Sequence, residues 1–166
     1  VKLVDMVHEY GLEDLAYIGN EIIERSHAGM LEEIRKLPKG TTYNTITLDG
    51  YDKPVEIVCA LTITDDAIEV DFSGSSEAST KGINLVLNYT QAYANYGIRC
   101  VVGAHIPNNT GSLSAIKISA PEGSILNVLH PWPVCARHII GQFLPDAVMG
   151  CLAQLVPEKV PAEGAS

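Results

Sequence analysis

Nowhere along the 166 residues do about 18 apolar side chains follow one another, the run that a membrane-spanning helix requires. The greasiest stretch, 139–156, is interrupted by Gln142, Pro145, Asp146 and Gln154, which excludes a span there. Basic side chains are scarce as well. Eleven Lys and Arg stand against 20 Asp and Glu, a formal net charge of −9, and they form no cluster of the kind that neutralises phosphates. Binding to nucleic acid or to an anionic membrane surface is therefore not expected. The four cysteines, Cys59, Cys100, Cys135 and Cys151, are far apart and show no CxxC pair, so they read as reduced, mostly buried core thiols of a cytoplasmic protein. No secretory leader is visible, and the beginning at Val1 and the uncapped end at Ser166 read as cuts through a larger polypeptide.

Motifs that would announce chemistry are also missing. There is no GxxxxGK[ST] and no GxGxxG to cradle a phosphate, and no GxSxG to present a nucleophile. His8, His27, His105, His130 and His138 never fall at HxH or HxxxH spacing. The pair Cys135 and His138 has no second pair to complete a tetrahedral site, so no metal ligand is assigned within the chain. The loop Ser73-Gly74-Ser75-Ser76 invites an anion-cradle reading, but it stands some distance from the next helix and reads as an ordinary connection.

What is present is enough for one folded domain over 1–166. The hydrophobic fraction is 46% and the charged fraction 19%, and at this length roughly two-thirds of the unfolded chain's surface can be buried. Residues 1–10 carry a helical stripe of Leu3, Val4 and Val7, with Gly11 placed to end it in a left-handed cap. Over 12–37, Leu12, Leu15, Ile18, Ile22, Ile23, Met30, Leu31, Ile34 and Leu37 recur at helical spacing opposite a charged face, and Pro38 and Gly40 stop the run. The period then changes to two. Residues 42–48, 55–64 and 68–73 read as three strands joined by connections short enough only for antiparallel neighbours. An unusually apolar helix is expected over 83–102, where Arg99 is the single ionised side chain and Asn84, Asn88, Gln91 and Asn95 need partners. Residues 104–113 read as a turn-rich connection, 115–119 as a short strand, 121–123 as a turn and 125–129 as extended. A helical region over 134–156 should be bent or split at Pro145. The fold class is α+β, an antiparallel sheet packed against long helices.

Two groups of polar residues stand out within apolar surroundings. Arg137 and His138 lie at the start of the last helical region, and Asn108 and Asn109 lie on the earlier turn. An ionised Arg beside Trp132, Ile139 and Ile140 is costly to bury unless an anion or a strong acceptor meets it. The expectation is one shared polar site, with Arg137 and His138 in catalytic roles and Asn108 and Asn109 binding substrate. The alternative is structural hydrogen bonding within the domain.

Several segments, taken in order, resemble one family. Val70-Asp71-Phe72-Ser73-Gly74-Ser75-Ser76 is followed by Lys81-Gly82-Ile83-Asn84, Ile98-Arg99-Cys100 and Ile106-Pro107-Asn108-Asn109-Thr110-Gly111. Ala120-Pro121-Glu122-Gly123-Ser124-Ile125-Leu126-Asn127 and Val160-Pro161-Ala162 complete the series. Together they resemble the hydantoinase B family, which includes N-methylhydantoinase B subunits, the C-terminal half of 5-oxoprolinase, and subunits of acetone and acetophenone carboxylases. The resemblance implies a fragment of a B-type subunit in an ATP-dependent cyclic-amide hydrolase. It also implies a hetero-oligomer with an A-type ATP-binding hydantoinase subunit. Divalent metal and ATP are implied for the complete complex, and none for this fragment. Many members carry Gly-Gly-Asn-Val-Glu-Thr-Ser-Gln-Arg where this chain reads Pro133-Val134-Cys135-Ala136-Arg137-His138-Ile139-Ile140-Gly141-Gln142. That departure leans toward the carboxylase branch as the alternative. A structural or interaction module without chemistry of its own is the third reading.

Overall fold

The computed structural model describes residues 2–161; the readings made for Val1 and for residues 162–166 lie outside them. Helix α1 spans Lys2–Glu9, and Gly11 takes φ +62°, the left-handed conformation expected of it. Helix α2 spans Ala16–Arg35. It begins later than the apolar periodicity suggested, because the Asp14 carboxylate accepts the Ala16 amide at 2.7 Å and so fixes the first turn. Only Ser26, Met30 and Ile34 of α2 are buried.

Strands β1 (Gly40–Leu48), β2 (Val55–Ile63) and β3 (Ile68–Asp71) form the antiparallel meander, with Gly40 opposite Ile63 and Ile63 opposite Ile68. Strand β4 (Ile116–Ser119) joins the far edge parallel to β3. The sheet is therefore mixed, which corrects the wholly antiparallel expectation. Periodicity reports which residues share a face and carries no information about strand direction. Direction is set here by the helical crossover between β3 and β4, which returns the chain to run the same way.

That crossover holds α3 (Leu87–Val101) and α4 (Thr110–Ser114). Helix α3 starts four residues later than expected. The amide of Leu85 donates to Ile125 O at 2.8 Å and Val128 N donates to Leu85 O at 2.9 Å, so this segment is spent on extended pairing before the helix begins. The last helical region is split into α5 (His138–Gly141) and α6 (Leu144–Leu152). The break precedes Pro145, which occupies the first turn of α6, where no amide donor is needed.

One face of the sheet presents Ile57, Cys59, Leu61, Ile63, Ile68, Val70, Ile116 and Ile118 to the core. Helix α6 covers β1 and β2, and α3 covers β4, giving two layers around one core. Helix α2 packs on α4 instead of covering the sheet as the sequence suggested. Its charged face is solvated, as is the outer sheet face with its Lys117–Glu69 pair at 2.9 Å.

The cysteines divide in a way the sequence reading did not anticipate. All four are free, and Cys59 and Cys151 are buried, but Cys100 and Cys135 are exposed. Cys100 lies on the outward flank of α3 and Cys135 in the connection before α5. The Cys151 thiol lies 3.5 Å from Cys59 O, and its contact with the Cys59 thiol, then burial, push the latter well above the ordinary thiol range. Titration with a thiol reagent should therefore label two cysteines rapidly in the native protein and the other two only on unfolding. Four fast thiols, or none, would contradict this packing.

Candidate functional site

Strand β3 ends at Asp71, whose Oδ1 accepts the Ser73 amide at 3.0 Å and the Ser73 hydroxyl at 2.8 Å, closing an Asx turn. Gly74 follows at φ +91°. The next two serines then serve β2. Ser75 Oγ accepts Val58 N at 3.0 Å and donates to Val58 O at 3.2 Å, and Ser76 Oγ accepts Glu56 N at 2.9 Å. The hydroxyls thus satisfy backbone groups of β2 beyond the point where β3 pairs with it, and they are not arranged as an anion cradle.

The loop then meets the segment that begins at Pro121. Ile125 N donates to Ser76 O at 2.8 Å and Ala78 N to Gly123 O at 2.9 Å, with Glu77 bridged to Ser124. Asn84, fully buried, ties this unit to the chain before α5. Its Oδ1 accepts Ser79 N at 2.7 Å, and its Nδ2 donates to Ser79 O, Lys81 O and Pro133 O at 2.8, 3.0 and 2.9 Å. Two of the stretches that carried the family resemblance, 70–76 and 120–127, are therefore hydrogen-bonded to each other, although they lie far apart in sequence.

Between the two loops is an open cleft of about 470 Å³. Gly74, Ser75, Glu77 and Ala78 line it from one loop and Pro121 to Ser124 from the other, and Trp132 completes the lining. Its polar side chains are the carboxylates of Glu77 and Glu122 and the hydroxyls of Ser75 and Ser124, beside an indole wall. Such a cleft can accept N–H groups of a small planar ligand and shield one face of it from water. Among the described residues, no group of three or more His, Cys, Asp or Glu comes together to hold a metal ion, and the chain has no phosphate loop. These residues do not fit either of the two groups implied for the complete complex.

The four residues singled out from the sequence are not brought together within this chain. Asn109 caps α4: its Oδ1 accepts Ser112 N at 3.1 Å and its Nδ2 donates to Ser26 Oγ at 2.7 Å. Asn108 accepts Arg99 Nε at 3.1 Å near the C-terminal end of α3. Arg137 stands near the opposite end of that helix, over the Tyr89 ring at 5.6 Å, and donates to Val134 O. The ten residues from Tyr89 to Arg99 span about 15 Å of helix. His138 is exposed at the first position of α5. The single-site geometry expected from the sequence is absent because hydropathy gave no measure of distance across the crossover. Glu77, Glu122 and Trp132 were not singled out as site residues. The only available signal was that two family-like stretches flank the cleft.

A family model described as hydantoinase B/oxoprolinase matches residues 1–166. The B component of a putative D-/L-hydantoinase from Pseudomonas sp. (strain NS671) is 31% identical over 175 residues, covering 97% of this chain and 30% of that protein. 5-Oxoprolinase 1 of Arabidopsis thaliana is 28% identical over 159 residues, covering 87% of this chain and 13% of the relative. Among solved structures, the ATP-dependent caprolactamase of Pseudomonas jessenii superposes with a TM-score of 0.83 at 22% identity, over 95% of this chain and 28% of that one. A nucleotide-free acetone carboxylase superposes at 0.82 with 17% identity, over 98% and 24%. At those identities the superpositions establish the fold. The chain spans less than a third of the length of each of these proteins. The family is set by the match over the whole sequence: the chain belongs to the hydantoinase B/oxoprolinase family.

Proposed function

We propose that this chain is part of the B-type subunit of an ATP-dependent cyclic-amide hydrolase, working in a hetero-oligomer with an A-type ATP-binding subunit. The supporting observation is the pairing of the 73–79 and 121–127 loops, both family-like stretches, into one cleft lined by Glu77, Glu122 and Trp132. In this reading the two carboxylates accept the N–H side of a planar ring, and the indole covers one face of it. In this reading ATP and divalent metal are required by the complete complex. An amide carbonyl is a poor electrophile, so coupling ring opening to ATP is chemically sensible for this substrate class.

The carboxylase reading is favoured by the departure from the family's pattern over 133–142 and by the fold likeness to acetone carboxylase. The two are separated by assaying the full-length polypeptide with its A-type partner. Hydantoin, 5-oxoproline and a simple lactam are supplied with ATP in one series, and acetone with bicarbonate and ATP in the other. Ring opening matched by ADP formation is expected, with KM raised and assembly unchanged in the Glu77→Gln, Glu122→Gln double variant. ATP-driven carboxylation without ring opening would overturn the proposal.

A further inference from the structure

Among the described residues, two buried side-chain oxygens lack a hydrogen-bond partner: Asn95 Oδ1 in α3 and Ser124 Oγ at the cleft. A buried hydroxyl left unpaired costs stability, so its presence calls for a reason. Ser124 is 7% exposed and ends the turn that begins at Pro121, where its amide donates to Pro121 O at 3.1 Å. The hydroxyls of the opposite loop are spent on the backbone, Ser75 on Val58 and Ser76 on Glu56. The Ser124 hydroxyl is not.

Ser124 stands directly across from Glu77. The bonds on either side of the pair, Ala78 N to Gly123 O and Ile125 N to Ser76 O, make it the non-hydrogen-bonded position of a short antiparallel ladder. At such a position the Cα atoms approach to about 4.5 Å, and the two side chains leave the ladder on the same face. Here that face is the cleft, which both residues line. An exposed carboxylate that only accepts is thus set beside a hydroxyl with a proton to give.

That pairing matches one arrangement of ligand groups. A small ring holds its amide cis, so N–H and C=O point from the same edge, whereas an open-chain amide is planar and trans and points them from opposite edges. We propose that Glu77 and Ser124 read the cis-amide edge of a ring, Glu77 accepting the N–H and Ser124 Oγ donating to the C=O. The inference rests on the cyclic-amide reading above and narrows it to rings whose amide nitrogen carries a hydrogen. An exposed Glu side chain changes rotamer within nanoseconds, and the turn of Glu77 toward the ligand N–H opens the way to the hydroxyl. Because Ser124 Oγ is shielded from solvent, it gives up no bond to water when it donates, which makes the new bond worth more than one exchanged with solvent. An open-chain amide must first become cis, a penalty of roughly sixtyfold in affinity.

Solution NMR of the protein with 2-pyrrolidone, a five-membered lactam, tests this. Binding in about the millimolar range is expected, with shifts at the amides of Ala78, Gly123 and Ser124. N-methylpyrrolidone, which has no N–H, and N-methylacetamide, an open-chain trans amide, should each bind roughly tenfold more weakly or worse. Ser124→Ala should weaken 2-pyrrolidone binding about fivefold, while the unfolding midpoint holds or rises, because the change deletes an unpaired buried hydroxyl. A hydroxyl with a structural role would give the reverse, a lower midpoint and unchanged binding. The proposal is overturned by equal binding of the lactam and its N-methyl derivative, by a Ser124→Ala variant that binds as well as the parent or unfolds earlier, or by no binding up to about 0.1 M. In the complete complex, Ser124→Ala should raise KM for 5-oxoproline or hydantoin. Selective lactam binding in a complex that opens no ring would keep the site and discard the hydrolase reading. Ring opening indifferent to Ser124→Ala would keep the hydrolase and discard the site.

Discussion

Replacing Arg99 with alanine should cost the fold on the order of 3 kcal/mol or more, read as a fall in the urea midpoint with an unchanged slope. The guanidinium is 8% exposed and donates to neutral acceptors: Val102 O at 3.2 Å, Gly103 O at 2.6 Å, Ile106 O, Asn108 Oδ1 at 3.1 Å and Met30 Sδ at 3.3 Å. Burial pulls its pKa down from the ordinary arginine value, but a guanidinium stays charged in a protein. The positive charge sits where α3 ends, against the carbonyls of a turn whose Gly103 adopts φ +60°, an arrangement the helix dipole favours. Alanine leaves several of these acceptors without a donor and opens a cavity beside Met30, and each orphaned group costs about 1–3 kcal/mol. Lysine should recover less than half of the loss, because one ammonium cannot reproduce a planar fork reaching both the turn and Asn108. A loss below about 1 kcal/mol for alanine would mean that water replaces the guanidinium and that the turn does not depend on it.

Arg99 also shows where the sequence was legible and where it was not. That it is the single ionised group of an apolar helix could be read directly, but the apolar composition overstated burial, since of α3 only Thr90, Ala94, Gly97, Ile98 and Arg99 are buried. Its partners could not, because four of the five come from a connection with no periodicity and the fifth, Met30, lies in another helix. The same holds for the strands. Alternation over 55–63 placed Ile57, Cys59, Leu61 and Ile63 on the core side, yet nothing local to 116–119 distinguishes parallel from antiparallel pairing. Pro145 announced an interruption but left open on which side of it the helix would resume. The cleft was the least legible part. Glu77 and Glu122 are ordinary exposed carboxylates in sequence, and they gain a common context only through the hydrogen bonds from Ala78 to Gly123 and from Ile125 to Ser76.

Substituting Asn84 with aspartate should destabilise the protein by about 3 kcal/mol near neutral pH and much less in acid, although the shape of the side chain hardly changes. Asn84 Nδ2 faces Ser79 O, Lys81 O and Pro133 O. A carboxylate there directs lone pairs at three carbonyl oxygens in a fully buried position, so both burial and the missing donors raise its pKa in the folded state. In the unfolded chain the same group titrates near its reference value of about 3.9. A folded-state pKa above the unfolded one means that the folded variant holds a proton the unfolded chain releases, and its deficit grows as pH rises above about 4. The difference in melting temperature from the parent protein, which cancels the other titrations, should therefore be small near the acid end of the stable range and widen toward pH 8. Even the protonated acid donates to only one of the three carbonyls, so some deficit remains at every pH. Because Asn84 ties the 79–83 segment to Pro133, next to Trp132, amide exchange in those segments should quicken with pH in parallel. A pH-independent deficit would show that the introduced carboxylate stays hydrated, and that the segment opens to water without disturbing the rest of the cleft.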